Sequence, residues 1–123
     1  MLKEYSRVRQ DPEGFKRLFS DETFDLYLWY NEEGNVLIGF QLVQKYHDEH
    51  DKAFTWEMNR GANYTSVYQQ GKNNGAPLLM VNGSLDSKTL IHQFSSRAQY
   101  LPIEINEKIL KTIEEFASPR FLD

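Results

Sequence analysis

The chain has 123 residues, a net charge of −4, 40% hydrophobic and 14% aromatic residues, and no cysteine. That length is one domain whose folding buries about two thirds of the surface the unfolded chain exposes. The acidic balance argues against nucleic acid or an anionic membrane as partner, and the missing cysteines exclude disulfides, thiolate zinc sites and cysteine nucleophiles.

The first residues hold no apolar run of signal-peptide length, and stretches such as Leu78 to Val81 are far too short to span a bilayer, so a cytoplasmic protein is expected. Residues 11 to 20, DPEGFKRLFS, place Phe15, Leu18 and Phe19 at helical spacing behind Asp11 and Pro12, which predicts a short amphipathic N-terminal helix. From residue 24 the period becomes two. Phe24, Leu26, Leu28 and Tyr30 share one face and, after a turn through Gly34, so do Val36, Ile38, Phe40 and Leu42. Pairing Tyr30 with Val36 brings both apolar sets to the same side.

A second hairpin that pairs Leu42 with Trp56 and Tyr46 with Lys52 leaves residues 47 to 51, HDEHD, as its tip. A further turn at Arg60-Gly61-Ala62 leads to a strand bearing Tyr64 and Tyr68. QGKNNGA, residues 70 to 76, reads as a loop, and Pro77 to Asn82 as an edge strand because it opens on proline. The last third is helical: Asp86 or Ser87 caps a helix with Leu90, Ile91, Phe94 and Ala98, and Pro102 precedes a second with Ile109, Leu110, Ile113, Phe116 and Ala117. The expected fold is a single α+β domain over residues 1 to 123: an antiparallel meander of about five strands with one N-terminal and two C-terminal helices.

Few motifs carry chemistry. His47, Asp48 and His50 have ligand types suited to zinc, nickel or copper, but the spacing is not HExxH and a hairpin tip is polar simply because it is solvated. Turn carboxylates (Asp48, Glu49 and Asp51, or Glu32 and Glu33) lack the desolvation that would tune them for acid-base catalysis. Gly71 to Gly75 lacks the phosphate-loop pattern and the helix that should follow, and Ser84, in Asn82-Gly83-Ser84-Leu85-Asp86, lacks the second glycine of a nucleophile elbow. Arg60, Tyr64, Tyr68 and Lys72 interleave basic and aromatic residues as a stacking platform for single strands would, yet Tyr64 and Tyr68 fall on the core face.

The second sheet face carries Tyr27, Trp29, Leu37 and Val43 among Asp25, Gln41, Lys45, Thr55 and Glu57. Left open, it is an aromatic patch of the kind that marks a partner site. Phe15, Leu18 and Phe19 on the N-terminal helix would otherwise cover it. The expectation is a binding domain, not an enzyme, with no cofactor, acting on a protein partner or a second copy of itself through that face. The alternative is a metal-dependent activity at His47, Asp48 and His50.

The runs Gly39-Phe40-Gln41-Leu42, Asp48-Glu49-His50 and Thr55-Trp56 resemble a family of short uncharacterised bacterial proteins, over much of residues 24 to 117. The resemblance implies a bacterial cytoplasmic setting and no particular activity.

Overall fold

Alternation with period two governs the chain from Phe15 to Gln69, and every regular segment in that span is a strand. The computed structural model describes residues 1–6, 8, 10, 14–47, 49–69, 77–82 and 85–117, with the backbone alone for 68, 69 and 77–82. The strands are β1 (Lys3–Glu4), β2 (Phe15–Ser20), β3 (Phe24–Tyr30), β4 (Leu37–Gln44), β5 (Asp51–Glu57), β6 (Gly61–Gln69) and β7 (Pro77–Asn82). They form one seven-stranded sheet whose spatial order is the chain order, every pair antiparallel. The helices α1 (Ser87–Ser95) and α2 (Ile103–Ala117) follow.

The α+β class and the two C-terminal helices are as expected; the N-terminal helix and the strand count are not. Residues 15 to 20 pair with β3 from Phe15↔Tyr30 to Ser20↔Asp25. The spacing of Phe15, Leu18 and Phe19 also suits a strand, with Phe15 and Phe19 on one face and Leu18 on the other. The open edge of β3 supplies backbone partners that an isolated six-residue helix would lack.

Both long hairpins sit two residues away from the expected register. Leu26 pairs with Leu42 and Leu28 with Phe40 in the first, and Phe40 with Trp56 and Leu42 with Phe54 in the second. A shift of two keeps every side chain on its face, so the hydrophobic pattern does not distinguish the two registers. Local bonds in the first turn settle the matter: Asn31 N–H donates to the Val36 carbonyl (2.9 Å), and the Asn31 side chain accepts from the amides of Asn35 (3.0 Å) and Val36 (3.2 Å). The register then slips between Trp29 and Tyr30, where Leu37 opposes Tyr30 and Gly39 opposes Trp29. This bulge leaves Ile38 without a partner on β3, though its carbonyl accepts from Met58 N–H at 2.9 Å, and moves Leu37 to the core side.

The core lies between one sheet face and the helices. Phe19, Phe24, Leu26, Leu28, Phe40, Leu42, Phe54 and Tyr64 meet Leu90, Phe94, Ile105, Ile109 and Ile113. Asp86 caps α1, accepting from Thr89 N–H at 3.2 Å, and Gln44 on β4 donates to Gln93 on α1 at 2.6 Å. Both helices belong to this face, and no described helix lies on the other.

Candidate functional site

Side chains on the helix-free face fall in rows across the strands. One row runs Lys16, Trp29, Gly39, Glu57, Gly61; the next runs Leu18, Tyr27, Gln41, Thr55, Asn63; a third contains Ser20, Asp25, Val43, Ala53 and Thr65. Tyr27, Trp29 and Val43 thus share this face, each half-buried. Leu37 does not: the bulge turns it toward Tyr30, Trp56 and Ile105 on the helix side.

The third row is closed by polar bonds. Asp25 accepts from Ser20 Oγ and, at 3.1 Å, from Lys45 Nζ, and Lys45 also donates to the Asp21 carbonyl at 2.6 Å. Burial, with the Asp25 charge adding to it, raises the pKa of the Tyr27 hydroxyl, so it is neutral at physiological pH. The Tyr27 and Trp29 rings stack with centroids 6.1 Å apart and planes inclined by 15°.

The first row is open. Between Phe15, Trp29, Ile38, Gly39, Gln41 and Glu57 lies a depression of about 460 Å³. Gly39 makes the floor: a Cβ there would stand 3.1 Å from the Trp56 carbonyl oxygen and 3.6 Å from Cε3 of Trp29. The edge of the indole therefore borders the space over Gly39 at ordinary van der Waals distance, and the tight approach is that of the Trp56 carbonyl. Gln41 Nε2 donates to Thr55 Oγ1 at 3.0 Å, which leaves the Gln41 carbonyl oxygen as an acceptor. The Glu57 carboxylate is exposed and has no hydrogen-bond or ion-pair partner among the described residues.

At the β4–β5 tip, His47 and His50 are exposed, and Asp48 lies outside the described residues. Asp51 has a structural role, accepting from the Tyr46 amide at 3.1 Å. Among the described residues no group of three or more His, Asp or Glu side chains is placed to hold a metal ion. The phosphate-loop and Ser84 candidates also lie outside the described residues, as does Lys72, and the Tyr64 ring is buried in the core. No described helix is long and apolar enough to cross a membrane.

Sequence reasoning assigned Gln41, Thr55 and Glu57 to this face but not to a site. The available signal was Gly39, a glycine inside an apolar strand, which marks a close approach by another group. No family model matches the chain, and comparisons with curated proteins and with solved structures found no match.

Proposed function

We propose that this α+β domain is a binding module whose working surface is the helix-free sheet face around Trp29. The supporting observation is β2: the segment that could have shielded that face pairs with β3 within the sheet instead, and Tyr27, Trp29 and Val43 are half-exposed beside an apolar depression. Half-exposed aromatics bordering a concave, mostly apolar surface are what partner and ligand sites are made of.

The test is a photo-crosslinking amino acid in place of Leu18, which lies beside Tyr27, compared with the same group in place of the exposed Glu114 on α2. In cells, position 18 should give adducts of defined mass that disappear when Trp29→Ala is added, and an adduct of twice the chain mass would identify a second copy as the partner. Equal labelling from both positions, or adducts indifferent to Trp29→Ala, would remove the proposal.

A further inference from the structure

The depression beside Trp29 combines three features that share one ligand chemistry. One wall is Trp29, whose indole stacks on Tyr27 on one side and can attract a cation through the ring quadrupole on the other. Its far rim is the Glu57 carboxylate, unpaired among the described residues. Between them Gln41 offers a carbonyl oxygen, its amide nitrogen being engaged by Thr55. We infer that this depression is a receptor for an arginine side chain presented by a protein partner, an inference that rests on the binding-face reading above.

The register gives the dimensions. Trp29 and Glu57 oppose Gly39 from its two sides, so their backbones stand two strand spacings apart, roughly 9.6 Å. The indole covers the first of those spacings, since it lies within van der Waals contact of where a side chain at position 39 would begin. The space left over Gly39 is about one strand spacing wide, and Gln41 and Thr55, in the next row along the strands, border it.

A guanidinium is flat, stacks on an aromatic face and carries five donors in a rigid fork, which the two acceptors here can engage together. An ammonium is a compact point charge that would leave the stacking surface unused. Lys16 also borders the depression, on the other side of Trp29 from Glu57, so the acceptors lie at the Glu57 end. The net charge of −4 and the exposed Glu32 and Glu33 in the β3–β4 turn, at the same end of the sheet, favour a cationic partner over long range. The volume lies within the range of small-ligand sites, but the opening to solvent suits a side chain delivered on a backbone.

The experiment titrates the isotope-labelled full chain with acetyl-Gly-Arg-Gly-amide, its citrulline counterpart and agmatine, reading the Trp29 indole N–H and the Gly39 and Glu57 amides by NMR. The arginine peptide should move these resonances saturably. The citrulline peptide, equally planar but uncharged, should bind about tenfold more weakly, as should the arginine peptide to Glu57→Gln. Glu57→Gln alters an exposed group with no described partner, so its spectrum should otherwise match the parent and loss of fold is excluded in the same measurement.

Equal binding of arginine and citrulline peptides, or no response at Trp29 and Gly39, would overturn the inference. Agmatine binding as tightly as the peptide would overturn the assignment to a protein partner. If the arginine peptide fails while the Trp29-dependent crosslink from position 18 persists, the cation assignment falls and the binding face stands; if both fail, both fall.

Discussion

Asp21, in the turn between β2 and β3, ties three separate parts of the chain together, and replacing it should be costly in a pH-dependent way. Its side chain is 2% exposed. Oδ1 accepts from the amides of Thr23 and Phe24, both at 2.8 Å, while Oδ2 takes Arg97 Nη1 at 3.1 Å and the Met1 amino group at 3.2 Å. Asp21→Ala removes every acceptor. Two turn amides losing their partner cost about 1 kcal/mol or more each, and uncompensated positive charge beside a buried site adds to that, for about 3 kcal/mol in all.

Asp21→Asn keeps an oxygen for the two amides and puts an NH₂ against the two cations, so about 1–2 kcal/mol is expected. Burial on its own would raise the Asp21 pKa. The amides of Phe24 and Thr23, followed by Arg97 and the amino terminus, outweigh it and hold the carboxyl below its ordinary range. A depressed carboxyl contributes stability that is complete above its unfolded value, about 3.9, and is lost as pH falls through the lower folded value.

The stability gap between parent and Asp21→Asn should therefore be constant from about pH 7 to about pH 5 and close below about pH 4. Urea unfolding followed by circular dichroism at several pH values measures it. A cost below about 1 kcal/mol for Asp21→Ala, or a gap equally large at pH about 3 and about 7, would refute the reasoning.

Phe94 is fully buried with its ring edge-on to Phe24, centroids 6.2 Å apart at 82°, so Phe94→Ala should cost about 3–5 kcal/mol in urea unfolding. Gly34 and Gly61 have φ of 75° and 79°, and alanine at either should cost about 1–2 kcal/mol from the backbone alone. Only at Gly34 would the new Cβ also meet the Phe15 ring, at 2.7 Å against nothing within 4 Å at Gly61, so only Gly34→Ala should shift the Phe15 aromatic resonances. Lys108 Nζ sits 4.0 Å from the centroid of Trp56; in a Trp29→Phe background, Lys108→Met should change the Trp56 emission and lower stability by about 0.5–1 kcal/mol.

The parts of the fold that were legible are those where one pattern had one solution. Asp86 ahead of an apolar stripe and Pro102 ahead of another fix α1 and α2, because capping and the 3.6-residue period agree. Residues 15 to 20 satisfied two patterns, and the choice depended on an open edge of β3, a tertiary fact. The register of the first hairpin depended on the Asn31 side chain holding two amides of its own turn and on the bulge that follows, which periodicity does not encode. Leu37 was misplaced for a related reason: one bulge between Trp29 and Tyr30 reverses the facing of the residues beyond it. The candidate site inherits this. Its aromatic members were readable from alternation, whereas the pairing of Trp29 and Glu57 across Gly39 needed the register.

Because the strands lie side by side in the order in which they are synthesised, each can add to its predecessor as it leaves the ribosome, closing short loops at little entropic expense. The helices come last. Until α2 is complete, Phe24, Leu26, Leu28, Phe40, Leu42 and Phe54 form a bare apolar sheet facing water. A nascent chain stalled before Ser87 should bind a hydrophobic dye or a chaperone, and one stalled after Ala117 should not; identical behaviour of the two would mean that the sheet does not form ahead of its cover.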